Sequence, residues 1–378
     1  MKTFFILLKL LLIGTAISIF IYSAVSSTQS VLLPMNVSLE VKEIPVTRDA
    51  QCSPHNHIMF IKMHKCGSST LQNIFLRYGY KNNLTFALPT KGNILGYPNG
   101  FKPSMIPERL LPPGGKIDIF ALHTRVNVKE QTKVLHKDTR WITVLREPAS
   151  QFESFYNYFN LKKYFKKNLG DFKNIPVANI SLPRYRGLFG KNQMTFVMGY
   201  PDGISGEPLH RALGELERLF DQVLIYEHWD ESLVLLRHLL CWSLHDVVAF
   251  KKNARGKRRK AAVDAALRRT LRELNYADVE LYDHFLAKHR RQVLAFGVER
   301  MSEEVLSLKT LREDYSRRCA AKDTAKRQAP EGDKNVTQAK GDADAMPESC
   351  YTLSLTEIPL IKAVRQKQIR MLRNTKEH

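Results

Sequence analysis

Two lysines, a histidine, a glycine and three hydroxyl residues crowd the segment Lys62-Met63-His64-Lys65-Cys66-Gly67-Ser68-Ser69-Thr70. Residue types of this kind, in this order, hold an anion: ammonium groups supply charge, a glycine lets backbone N–H groups come close, and hydroxyls donate hydrogen bonds. A second pair lies further on. Arg146 and Ser154 stand in an R-x₇-S spacing, a charged fork and a neutral donor able to grip one phosphate between them. His123 is the candidate general base, because an imidazole accepts a proton near neutral pH. His64 competes for that role, although its place inside the basic loop suits packing or ligand contact better.

The surrounding pattern says what positions these groups. Ile58 to Ile61 is an apolar run that reads as a buried parallel strand. The helix after the basic loop is marked by Leu71, Ile74, Phe75 and Tyr78 at i, i+3, i+4 and i+7, with Gly79 expected to end it. Strand, glycine-containing loop and helix N-terminus make an anion cradle, because the unpaired N–H groups and positive dipole end face one spot. Trp141 to Leu145 is a second buried-strand run, followed by Arg146 and by a helix with Phe152, Phe155, Tyr156 and Phe159 on one face. Ile117 to Leu122 and Val223 to Tyr226 are further strand candidates, which puts His123 and Glu227-His228 at the same sheet edge. Helical pattern dominates from Glu231 onward.

The basic loop is not G-x-x-x-x-G-K-[ST], since its lysine precedes its glycine, and a nucleotide-dependent kinase is therefore disfavoured. The order Lys65-Cys66-Gly67-Ser68-Ser69-Thr70 resembles the 5′-phosphosulfate loop of sulfotransferases, and Arg146 with Ser154 resembles their 3′-phosphate grip. Further segments are similar to the galactose 3-O-sulfotransferase family: Asn56 to Lys65, Asn83 to Pro89, Leu95 to Pro98, Ala121 to Asn127, Val144 to Pro148, Glu227 to Arg237 and Asp246 to Phe250. They stay in family order from about residue 55 to about 320. Cys66, Glu147 and Val126 depart from the family pattern. The last lies beside the expected acceptor site, so it bears on acceptor preference.

The resemblance implies an α/β, P-loop-like sulfotransferase fold: a central parallel sheet flanked by helices and preceded by an N-terminal transmembrane helix. It implies 3′-phosphoadenosine-5′-phosphosulfate (PAPS) as co-substrate and no metal. The expected contacts to it are Lys62, His64, Lys65, Cys66, Gly67, Ser68, Ser69, Thr70, Arg146 and Ser154. Lys65 would stabilise the departing bridging oxygen, with Lys62 in support, and His123 would take the acceptor proton. The acceptor would be the 3-hydroxyl of a β-galactose on a glycolipid or glycoprotein. The alternatives are another glycan such as a glycosaminoglycan, or a non-catalytic glycan-binding Golgi protein of the same fold.

Charge and targeting bound the setting. The chain has 58 Lys and Arg against 37 Asp and Glu, a net charge of +21 that attracts anions. Nucleic acid is the rival partner, and the secretory signals argue against it. Residues 4–25 are apolar apart from Lys9 and a few hydroxyls, long enough for a membrane anchor, with a cleaved signal peptide as the rival. The resemblance favours the anchor and a single-pass Golgi enzyme with its body in the lumen. Glycosylation sequons at Asn36, Asn83, Asn179 and Asn335 agree with that. The five cysteines allow at most two internal disulfides, with Cys66 the candidate free thiol and the other pairing unreadable. The expected organisation is a tail at 1–3, anchor at 4–25, stem at 26–52, catalytic body at 53–320, disordered loop at 321–349 and a helical extension at 350–378. The basic run Lys251 to Lys260 reads as a solvated face, and Asp342-Ala-Asp344 as chance.

Overall fold

The computed structural model describes residues 52–250, 263–327 and 348–374. The anchor at 4–25, nearly all of the stem, the basic run at 251–260, Asp342-Ala-Asp344, and the sequons at Asn36 and Asn335 lie outside the described residues. No helix among the described residues is long and apolar enough to cross a membrane.

Four parallel strands form the centre: β1 (Ile58–Ile61), β2 (Ile119–Phe120), β3 (Arg140–Leu145) and β4 (Gln222–Ile225), in the order β2-β1-β3-β4. All four side chains of β1 are fully buried. Burial of such residues contributes about 1.5–3 kcal/mol each, which is why an unbroken apolar run marks a central strand. Chain order reverses at β1, with β2 on one side and β3 on the other, and ligands of open α/β sheets bind at the carboxyl ends beside such a reversal. Register sets the starts of β1 and β3 level, Ile58 against Arg140, and Ile61 pairs with Thr143, whose Oγ1 donates to the Ile61 carbonyl at 2.9 Å, so that β3 runs two residues further to Leu145. The loop after β1 runs alongside those last two residues, and Arg146, which follows β3, reaches the Lys65 carbonyl.

Helices flank this sheet. Those that bear on the site are α1 (Ser68–Lys81), α2 (Pro148–Tyr158), α3 (Gly206–Leu219), α4 (Trp229–Leu240), α5 (Ala265–Leu274), α6 (Tyr276–Phe296), α7 (Val298–Arg327) and α8 (Glu357–Asn374). Leu71, Ile74, Phe75 and Tyr78 of α1 are buried, as their spacing requires. Phe152, Phe155 and Tyr156 of α2 build a second apolar cluster with Phe172 and with Leu267, Leu271 and Leu274 of α5.

Three expectations are corrected. Gly79 does not end α1, which runs to Lys81; it permits a close approach instead. A Cβ there would lie 2.4 Å from Phe86 Cζ and 2.7 Å from Ile119 Cδ1. The run Ile117 to Leu122 yields only a two-residue strand. As an edge element it spreads its remaining bonds over neighbours: Ile119 with Thr85 and Ala87, and His123 with Asn93 and Leu95. The segment from 321 onward is not a loop at its start, since α7 continues to Arg327, and residues 328–347 lie outside the described ones.

The terminal segment docks back onto the body. Leu360, Ile361, Val364, Gln368 and Leu372 form the buried face of α8, which packs on α1. Gln368 accepts from Phe86 N–H at 2.8 Å and donates to the carbonyls of Phe86 and Leu110, so a buried amide fastens the helix to loop backbone. Disulfides join Cys52 to Cys241 and Cys319 to Cys350, and Cys66 is free and buried.

Candidate active site

The loop after β1 is shaped by two left-handed residues, Lys65 (φ 61°) and Gly67 (φ 76°), the latter serving as N-cap of α1. Only glycine fits at 67, because a Cβ would stand 2.9 Å from the Tyr226 ring. Ser68 Oγ donates to the Met63 carbonyl and closes the loop on itself. Thr70 is buried, and its N–H reaches the Gly67 carbonyl at 2.9 Å. Cys66 turns its thiol into the core, against the His64 carbonyl and Met194 Sδ, where burial pushes the thiol pKa up. Its side chain faces away from the cradle. The positive end of α1 is left facing the loop.

At the carboxyl end of β1 lies a polar cluster drawn from four separate stretches of chain. Lys62 is 1% exposed, and its Nζ is 3.1 Å from His123 Nε2 and 2.6 Å from Glu357 Oε1. Asn93 Nδ2 donates to the same Oε1 at 2.6 Å, and Ser69 Oγ donates to Oε2 at 3.2 Å. Burial lowers the Lys62 pKa while Glu357 opposes it. Burial raises the Glu357 carboxyl, but Lys62, Asn93 and Ser69 more than reverse this and hold it below its usual range. An ammonium donating into Nε2 leaves the His123 proton on Nδ1, which is buried without a partner. Burial first, then Lys62 and His64, hold the His123 pKa well below its ordinary value, so the ring is neutral at physiological pH.

His64 is in a different situation. It stacks on His123 (4.6 Å between ring centres) and is surrounded by Tyr97, Phe155, Phe159 and Phe189. Burial, reinforced by Lys62, Lys65 and Arg184, pushes its pKa down to about 3. Its ring is packed among aromatic side chains, whereas His123 meets the Lys62 ammonium. Lys65 points to the rim, its Nζ 3.8 Å above the Tyr158 ring.

Arg146 follows β3 and donates to the Lys65 carbonyl at 3.0 Å, while its guanidinium lies over the Tyr226 ring at 4.7 Å. Its Nε is buried with no partner. Ser154 is buried on α2, and Gln151 one turn earlier donates to the His64 carbonyl at 2.9 Å. Arg146 and the helix that bears Ser154 are thus both joined to the loop at 62–70. Glu147 is the N-cap of α2, accepting from Ala149 and Ser150 N–H and pairing with Arg268 and Arg272 of α5.

Other residues singled out by the sequence are tied to neighbouring backbone and side chains. Arg125 donates to the carbonyls of Phe196, Gly199 and Tyr200, and Asn127 caps a short helix at Val128–Gln131. Glu227 ties the Glu147 N–H to the Tyr282 hydroxyl, and His228 pairs with Glu231. Val126 is half-buried, with Gly199 packed against its carbonyl. The described sequon residues Asn83 and Asn179 are exposed. Sequence reasoning missed Glu357 and Asn93, which no local pattern connects to the loop at 62–70.

Comparison with known proteins agrees with this geometry. The family model described as galactose-3-O-sulfotransferase matches residues 1–346. The chain is 37% identical over 276 residues to mouse galactosylceramide sulfotransferase, covering 71% of this chain and 65% of that protein. It is 35% identical over 305 residues to the bovine galactosylceramide sulfotransferase, covering 78% and 72%. Bovine galactose-3-O-sulfotransferase 3 is 30% identical over 354 residues, covering 86% and 82%. The matched region thus spans about two thirds of the mouse relative's own length.

Proposed function

The chain belongs to the galactose-3-O-sulfotransferase family, and from that premise we propose that it transfers sulfate from PAPS to the 3-hydroxyl of a β-galactose on a glycolipid or glycoprotein. What carries the proposal is the Arg146 to Lys65 hydrogen bond, which joins two anion grips across the strand-order reversal at β1. Two features fit a nucleotide that carries negative charge at both its 5′-phosphosulfate and its 3′-phosphate. Gly67 in its left-handed conformation turns the chain tightly into the N-terminus of α1, with the Tyr226 ring filling the space a side chain would need, and Arg146 keeps a buried Nε without a partner.

The helix end, Ser69 and Thr70 hold the phosphosulfate, and Arg146 with Ser154 holds the 3′-phosphate. PAPS supplies an activated sulfonate and a phosphate leaving group. Lys65 and Lys62 would place positive charge where negative charge develops on the bridging oxygen, as its bond to sulfur breaks and the acceptor oxygen bonds there instead, an interaction stronger in the transition state than before it. As Lys62 turns its hydrogen bond toward that oxygen, His123 Nε2 is released and takes the proton of the acceptor hydroxyl. Aromatic packing around His64 keeps water from one side of this pair. The N-terminal apolar segment would anchor the enzyme in the Golgi membrane with this body in the lumen, and the exposed Asn83 and Asn179 support that placement.

The test is sulfate transfer from radiolabelled PAPS by the full-length chain to galactosylceramide, lactosylceramide, N-acetyllactosamine and desulfated heparan. Label is expected on β-galactosides. Lys65→Ala should lower turnover by about 10²–10³-fold, the usual cost of removing one donor to a developing charge. Label on heparan alone would overturn the galactose assignment. Label that persists with Lys65→Ala would overturn the role of the loop.

A further inference from the structure

The cluster around Lys62 contains a carboxylate that sulfuryl transfer does not obviously require. Glu357 comes from the first turn of α8, beyond residues 1–346 matched by the family model, and 295 residues after Lys62. Accident is a poor account of its placement. Its two oxygens take three donors from three segments: Lys62 at the end of β1, Asn93 in the loop bonded to His123, and Ser69 at the start of α1. The helix that delivers it is held by Gln368, by Arg365 to the Pro89 and Gly92 carbonyls, and by Lys367 to the Tyr80 carbonyl. The Cys319–Cys350 disulfide restrains the chain just before it.

We propose that Glu357 is a positioning residue of the transfer site, its carboxylate fixing the Lys62 ammonium against His123 Nε2. The proposal rests on the sulfotransferase reading above, in which Lys62 faces the donor. The physical need is plain. An ammonium 1% exposed to solvent keeps its proton only beside an opposite charge, and among the described residues Glu357 is the carboxylate paired with it. The other titratable groups facing Lys62 are His123 and His64, both neutral at physiological pH and therefore unable to replace it. Without the carboxylate, Lys62 sheds its proton, no longer donates to Nε2, and brings no charge to the leaving oxygen. The alternative is that Glu357 merely occupies the anion cradle and must leave before the donor binds.

The experiment uses the full-length chain with Glu357→Gln and Glu357→Asp. Glutamine keeps the shape and one acceptor oxygen, which can serve Asn93 while the Ser69 hydroxyl turns to accept from the new amide N–H, but it removes the charge. The measurements are kcat between pH 6 and 10, binding of 3′-phosphoadenosine 5′-phosphate by calorimetry, and thermal unfolding. For Glu357→Gln, the alkaline fall of kcat should move to lower pH by about 1–3 units. Activity lost at pH 8–9 should return on acidification, and Glu357→Asp, which retains the charge, should lie between it and the wild type. A purely structural tie would lower kcat at all pH values and leave the profile's shape unchanged, which would overturn the proposal. Nucleotide binding at least about tenfold tighter with Glu357→Gln would overturn it in favour of an occupied cradle. Wild-type protein that binds no nucleotide would overturn the donor-site reading itself. Binding by the wild type with superimposable pH profiles would sink only the role of Glu357. Should Glu357→Gln fail to fold, Glu357→Asp reads the same displacement at smaller size.

Discussion

Acidification should destabilise this fold through a residue that the chemistry does not use. In the unfolded chain His64 titrates near pH 6.5, whereas in its aromatic enclosure it stays neutral down to about 3. Its folded pKa is depressed, so the unfolded state takes up the proton first. The stability is intact above pH 6.5 and is lost progressively as pH falls toward 3. At pH 5.0 the loss is RT ln(1 + 10^1.5), about 2 kcal/mol from His64 alone. His123 is displaced in the same direction and adds to it. The assay is urea unfolding of the full-length chain at pH 7.5, 6.5 and 5.0, with His64→Phe as the non-titrating comparison. Carboxylates lose stability over the same range, but they are common to both proteins and cancel in the difference. His64→Phe should therefore lose about 2 kcal/mol less than the wild type between pH 7.5 and 5.0. Parallel losses in the two proteins would show that His64 is protonated in the folded state, and the reasoning from burial would be wrong.

Two further outcomes follow from packing and from connectivity. Gly79→Ala improves helix propensity by about 0.5–1 kcal/mol, but the new methyl meets Phe86 Cζ at 2.4 Å. Overpacking at a fixed site costs about 1–3 kcal/mol, so thermal unfolding should show a net destabilisation, and a raised midpoint would refute the contact. Replacing Cys319 and Cys350 by serine opens a loop of sequence separation 31, and chain entropy puts the loss at about 3–4 kcal/mol. The double variant should show faster hydrogen exchange in α8 while β1 and β3 stay protected. Uniform exchange throughout would mean that the disulfide does not act on the terminal helix.

The positions of the basic loop and of Arg146 were legible because each follows a contiguous apolar run. Ile58 to Ile61 and Trp141 to Leu145 are fixed as strands by their own residues, so Lys62, Lys65 and Arg146 could be placed at a sheet edge without knowing the topology. What depended on distant chain was not legible. The cage around His64 draws Tyr97, Phe155 and Phe189 from three segments, and no local spacing brings them together. Thr356-Glu357-Ile358 reads as an ordinary helix start, with nothing to point its carboxylate at Lys62. Gly79 was misread because glycine serves both to end helices and to admit a neighbour, and only the position of Phe86 tells which. The disulfide partners Cys52–Cys241 and Cys319–Cys350 were closed to sequence reading, since four cysteines allow three pairings.

The distance between Lys62 and Glu357 also has a meaning in time. A ribosome extending a chain at roughly 5–20 residues per second needs about 15–60 s to go from one to the other. Throughout that interval the nascent chain has the apolar run, the loop and α1, but not the carboxylate that makes burial of the ammonium tolerable. The edge of the sheet beside Lys62 must therefore stay hydrated during synthesis, whatever the rest of the core has achieved. It dries when α8 arrives. A message cut short before codon 357 would leave a chain that retains the loop at 62–70 and Arg146 and cannot seal the corner at Lys62.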